Sequence, residues 1–249
     1  MGGGGVIGMP DAQADVAGRM VRTWPCLVRE EVHLWRAPLD LGQPCLARLR
    51  EVLPAEERAL ALTLRFQWDR DRFVATRGWL RLLLGRYLGA PPGGLRFVVQ
   101  ANGKPALAEP AIDVRFNVAL AGPVALMAVA EGREVGVGVE PIPESTLGLE
   151  ASRAGPRRPP PDPGTRTVLE DRARRGAYQR ARGRVPSAGD RRRPAWPPAS
   201  GGDQEPAGWS FHPVDAGPGY AGALALEGVV RLVRHLDCDP RWLDGRLPG

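Results

Sequence analysis

Apolar and polar positions alternate over Glu31–Arg36, with Val32 and Leu34 on one side, and Pro38 closes the run, so the pattern predicts an opening strand with His33 on its surface. Cys45–Val52 suits a short helix. A second helix is predicted from Pro54 to about Leu64, because a proline and two acids, Glu56 and Glu57, fall in its first turn. The clearest helical period spans Arg65–Leu88: Phe66, Phe73, Leu80, Leu84 and Leu88 recur at spacings of four and seven, and Gly89 with Pro91-Pro92 stops the run. Beyond it the period changes to two. Leu95–Val99 reads as a short strand leading into an Asn102-Gly103 turn. Ile112–Val118 and Val124–Ala130 read as a hairpin split by Ala121-Gly122-Pro123. A third strand carries Val135, Val137 and Val139 on one face and Gly136, Gly138 and Glu140 on the other. Trp209–Val214 and Tyr220–Leu226, with Pro218-Gly219 nearby, predict a closing strand pair, and Val229–Leu236 a final strand or helix.

Between these patterned regions the character changes. From 151 to 206 arginines and prolines crowd in while aliphatic anchors shrink to Val168, Leu169 and Val185, so disorder is expected: too little apolar area can be buried to offset the entropy of ordering the chain. The same composition is what a shifted reading frame in GC-rich DNA produces. Residues 1–24 read as a disordered lead without a signal-peptide core.

At 249 residues and 43% hydrophobic, the chain has room for one large domain or two small ones, and no apolar run reaches the length of a bilayer span. The formal charge of +6 suits an acidic partner, whether nucleic acid, an anionic surface, coenzyme phosphates or an acidic carrier protein. Nucleic acid is the least favoured of these, because the basic stretch has few aromatics for stacking. Cys26, Cys45 and Cys238 lack the close pairs of zinc or redox motifs, which predicts reduced thiols and a cytoplasmic location. Lys104, at the exit of the Asn-Gly turn, is the sole lysine among many arginines: it is either a compact ammonium placed for a phosphate or a solvated turn residue. Glu140 ends its strand on the glycine face, where a metal or phosphate could approach the backbone; the alternative is a solvated strand-end acid.

Gly103-Lys104-Pro105, Phe116-Asn117 and Gly136 through Glu140, in that order, resemble the motifs Gly-Lys-Pro, Phe-Asn-Leu-Ser-His-Ser and Gly-(Val/Ile)-Asp-(Val/Ile)-Glu of the 4'-phosphopantetheinyl transferases of the surfactin-synthetase-activating type. Asp69, Arg70, Arg72, Phe73, Arg77, Leu80 and Arg81 extend the resemblance upstream, and Trp209 to Leu226 resembles the family's closing hairpin. The resemblance implies an α/β (α+β) fold of two pseudo-symmetric halves, 31–133 and 134–249, the second incomplete and interrupted by 151–206. It implies transfer of 4'-phosphopantetheine from coenzyme A to a serine of an acyl or peptidyl carrier protein, with Mg²⁺ and no membrane involvement. Carried over, Glu140 is the catalytic and metal-binding acid, and Arg72, Arg77, Lys104 and Asn117 are the coenzyme A candidates. Three departures predict impaired activity. Gly138 stands where the family has Asp, Ala119-Leu120-Ala121 where it has Ser-His-Ser, and laying a Trp-x-x-Lys-Glu-Ala motif on this chain puts Arg172 at the Trp and Gly176 at the Glu. The alternatives are a non-catalytic coenzyme A or carrier-binding protein and a basic nucleic-acid-associated protein.

Overall fold

The computed structural model describes residues 25–108, 113–142, 163–183 and 206–244. The expected lead at 1–24, and the parts of the Arg/Pro-rich stretch at 151–162 and 184–205, lie outside the described residues. The described elements fall into two compact units, one built on Ala37–Leu95 and the segment from Asp237, the other on Val28–Arg36 and Arg96–Leu236. The opening strand belongs with the second of these because it pairs with strands from later in the chain.

The first unit is helical: α1 Gln43–Glu51, α2 Ala55–Thr63 and α3 Gln67–Leu88. The middle of α3 buries Val74, Trp79, Leu80, Leu83 and Leu84, each fully buried leucine contributing roughly 1.5–3 kcal/mol. Gly78 sets how closely α1 approaches, since a Cβ there would lie 2.7 Å from the Leu49 Cβ. The helix stops at Gly89, whose φ of 60° is left-handed. Trp79 donates its indole N–H to Pro38 O at 3.0 Å and meets Trp242 edge to face. Helix α2 is turned against the usual polarity: Glu57 and Ala61 are buried, while Leu60 and Leu62 are exposed.

The second unit is mostly strand. Its elements are β1 Glu31–Pro38, β2 Phe97–Val99, β3 Pro105–Leu107, β4 Val114–Ala121, β5 Val124–Glu131, β6 Val135–Pro141, α4 Pro163–Ala181, β7 Trp209–Val214, β8 Tyr220–Glu227 and β9 Leu232–Asp237. They form a four-stranded sheet of order β4-β5-β1-β9, a three-stranded sheet of order β6-β8-β7 and a ribbon of β2 with β3. The Val229–Leu236 ambiguity resolves as a strand. The predicted hairpin is present, with Ala121 paired to Val124 across Gly122, whose φ is 53°. Val32 and Leu34 of β1, Leu126 and Ala128 of β5, the three valines of β6, and Leu224 and Leu226 of β8 form one core. His33 is not on the surface. It is fully buried, and burial holds its pKa below the usual histidine value although Glu31, 3.5 Å away, pulls it up.

The expectation of disorder across 151–206 is corrected in part: α4 is a 19-residue helix. Leu169, Ala173, Ala177 and Ala181, four residues apart, are its buried stripe. Small side chains bring the helix so close to β6 that a Cβ on Gly136 would lie 2.5 Å from Ala181 N, and one on Gly138 would lie 2.7 Å from Ala177 N and well inside contact distance of Ala173 O. The anchors missing from the hydrophobic count are supplied by backbone-to-backbone fit. Among the described residues, no helix is long and apolar enough to cross a membrane.

Candidate functional site

Strand β6 gathers the residues of interest in the second unit. Asn117 of β4 accepts the Val137 N–H at 3.0 Å, joining the two larger sheets. Lys104 follows the Asn102-Gly103 turn, whose Asn102 Oδ1 accepts the Lys104 N–H at 3.0 Å, and its side chain turns inward. The ammonium is 3% exposed and donates to Glu134 Oε2 at 2.6 Å, Val135 O at 2.9 Å and Ala181 O at 3.2 Å. Three donors meet three acceptors, one of them a carbonyl at the negative end of the α4 dipole. Burial pulls the Lys104 pKa below the lysine value, with Glu134 opposing. The residue expected to meet a phosphate is, in this conformation, a strut joining the β2–β3 ribbon, β6 and α4. At 3% exposure it is not a solvated turn lysine.

Arg72 and Arg77 lie in the first unit. Arg77 donates from Nε to Glu57 Oε1 at 2.9 Å and also bonds it through Nη2. Arg81 donates from Nε to the other carboxylate oxygen at 2.7 Å, and its Nη1 reaches Pro92 O and Leu95 O, each at 2.9 Å. Burial pushes the Glu57 pKa up, but the bonds from Arg81 and Arg77 outweigh it and hold the carboxyl below its ordinary value. Arg72 lies over the Trp68 ring, 5.6 Å from its centroid. Of the sequence candidates, Arg72 and Arg77 are thus together on α3, while Lys104, Asn117 and Glu140 converge on β6.

Glu140 ends β6 facing α4, with its carboxylate 3.7 Å from Arg172 Nη2. Two positions near it decide what the site can hold. At Gly138 the space for a side chain is filled by the α4 backbone. At Gly176 the corresponding space is taken by Arg180, whose Nη1 lies 2.9 Å from where a Cβ would be. Arg180 donates to Val137 O at 3.5 Å. Burial lowers its pKa, and Glu140 is the carboxylate that pulls it back up. Ala119 and Ala121 are buried in the sheet and Leu120 is exposed, so the Ser-His-Ser positions present no polar group. A groove of about 480 Å³ opens two residues beyond Glu140, at Ile142, with the Arg166–Glu170 ion pair, Asp215 and Tyr220 on its walls.

Mg²⁺ takes six oxygen ligands in near-ideal octahedral geometry, commonly one or two carboxylates with substrate phosphates and waters completing the shell. Here one carboxylate faces α4, two arginines act on it, and among the described residues no group of three His, Cys, Asp or Glu could hold a metal. The residues present do not fit Mg²⁺. Arg172, Arg180 and the alanine stripe were missed as site elements in the sequence. The detectable signal was Gly at alternate strand positions matched with Ala every fourth residue downstream.

The mixed α+β architecture, with a helix laid on a strand that ends in a lone acid, is consistent with the fold of a phosphopantetheinyl transferase. Over 130 residues the chain is 39% identical to a protein named 4'-phosphopantetheinyl transferase HetI from Nostoc sp.. Over 109 residues it is 32% identical to a candidate 4'-phosphopantetheinyl transferase of Synechocystis sp.. These matches cover 51% and 43% of this chain, and the chain spans about half the length of the relatives, 55% and 44% respectively. No protein-family model matches. Over the matched part, the chain is similar to proteins named as 4'-phosphopantetheinyl transferases.

Proposed function

We propose that this protein binds coenzyme A and acts as an impaired 4'-phosphopantetheinyl transferase toward an acyl or peptidyl carrier protein. In that transfer the serine Oγ of the carrier attacks the phosphorus bearing pantetheine, a new P–O bond forms, and the bond to the other phosphate breaks. The adenosine bisphosphate leaves, and the serine proton passes to a base. Glu140 is the base this chain offers, with Arg172 Nη2 3.7 Å from its carboxylate. Coenzyme phosphates are the anions that the α4 arginines suit. The coenzyme A donor, the carrier acceptor and a cytoplasmic setting all belong to this reading.

The single observation that carries the impairment is the backbone of α4 at Gly138. A carboxylate cannot be added there while the helix is docked, so charge developing on the leaving phosphate is met by arginine alone. The same observation favours a second reading, a protein that binds coenzyme A or the carrier without transfer. The test loads an apo carrier protein with coenzyme A and Mg²⁺, with the Nostoc relative assayed alongside. Slow loading is expected, and loading at the relative's rate would overturn the impairment. Coenzyme A binding without any loading would select the second reading.

A further inference from the structure

We propose that the tip of the α2–α3 hairpin, Leu62 to Trp68, is a docking surface for an acidic amphipathic helix of a partner protein. Identifying that partner as the carrier protein rests on the function proposed above, whereas the surface itself does not.

The tip is built by what lies beneath it. Glu57, near the start of α2, bonds Arg77 and Arg81 in the middle of α3, so the two helices fold back on one another. That anchorage turns Glu57 and Ala61 inward, and at about 100° per residue it sends Leu62 outward. Leu60 lies on the other flank of α2 and is not part of the tip. Leu64 and Phe66 are both extended, and α3 begins directly after them. Three large apolar side chains are left in water within seven residues: Leu62 is 71% exposed, Phe66 50% and Trp68 59%. Turns between helices are ordinarily polar, and an apolar one marks a surface that meets something. Each ring also carries a cation, Arg65 over Phe66 and Arg72 over Trp68.

The charges decide what covers the tip. A bilayer would accept leucine, phenylalanine and tryptophan, but Asp69 adjoins Trp68 and Asp71 lies in the same turn of α3. Anionic headgroups would repel both, and the guanidinium groups on the rings would be drawn toward the hydrocarbon. A second copy brought up by a twofold axis would set Arg65 and Arg72 against themselves. A helix with an apolar stripe flanked by carboxylates meets every demand. Its stripe covers Leu62, Phe66 and Trp68, and its acids are drawn to Arg65 and Arg72. Tryptophan and arginine are also the residue types that carry most of the energy at interfaces of this kind.

The test follows the fluorescence polarisation of two labelled probes titrated with the full chain. One is an apo acyl carrier protein, the other a synthetic helix with one leucine face and glutamates elsewhere. Leu62→Glu and Trp68→Ala should each weaken both probes about tenfold. Val229→Glu, at an 80% exposed position of the second unit, should change neither. Peptide binding indifferent to the two tip variants would overturn the proposal, as would equally tight binding of a peptide with lysine in place of glutamate. Tip-dependent adsorption to phosphatidylserine vesicles in place of peptide binding, or self-association that Leu62→Glu abolishes, would also overturn it. Carrier binding that survives both tip variants would overturn the identification with the carrier. No carrier binding by the unaltered chain would instead count against the function proposed above, and the peptide would decide the surface. The comparison of the two peptides on the unaltered chain is decisive by itself should a variant fold poorly.

Discussion

Two arginines sit on the inward faces of helices in this protein, and they are treated in opposite ways. Arg81 of α3 is 3% exposed and is met by a carboxylate and two carbonyls at 2.7–2.9 Å, with Arg77 completing the pair around Glu57. Arg180 of α4 has one carbonyl at 3.5 Å. Burial alone therefore does not mark a functional cation. What marks a structural charge is that its donors are matched within the protein. By that measure Arg77 and Lys104, both chosen in the sequence as phosphate candidates, resemble Arg81, whereas the half-buried Arg180 turns its remaining donors to solvent.

The contrast can be broken most forcefully at its saturated end. Glu57→Gln leaves Arg81 buried without its counter-charge and should cost about 3–5 kcal/mol, read from urea denaturation. Its pH dependence sharpens the point. The folded pKa of Glu57 lies below the unfolded value of 4.5, so its stabilisation is fully present above 4.5 and is lost as pH falls through the lowered folded value. The acid limb of the stability curve should therefore flatten in Glu57→Gln. An unchanged limb and a small loss would show that the triad does not hold the helices.

Lys104→Met should cost toward the lower end of the same range, about 3 kcal/mol, because Glu134 keeps 27% exposure and retains Arg115 at 3.2 Å. If Lys104 instead served the coenzyme, the variant would weaken coenzyme A binding while leaving the melt unchanged. The smallest effect is expected at Gly138→Ala, about 1–3 kcal/mol from overpacking α4 against β6. A neutral or stabilising result there would mean that α4 stands further off, and the room for a restored aspartate would return with it.

Much of the fold was legible because its signals are periodic. The alternation over β1, β6 and β8 and the long repeat of α3 survive without any tertiary information, and the Asn-Gly and Gly-Pro turns sit between the predicted segments. Helix α4 was not, because its packing stripe is alanine among arginines. No hydrophobic count registers a fit made by absent side chains on both partners. The site was legible by half. Glu140 and its glycine face follow from the strand period, whereas the fate of Lys104 depends on Glu134, thirty residues away in sequence, and on the far end of α4.

Helix α2 keeps Glu57 inside at the expense of Leu60 and Leu62, and a few residues later Phe66 and Trp68 are also half exposed or more. Arg65 and Arg72 lie over those two rings like shutters, 5.3 and 5.6 Å from their centres. Concentrated sulfate or a polyanion that draws the guanidinium groups away would bare an oily surface, and the preparation would then turn cloudy while every molecule in it remained folded.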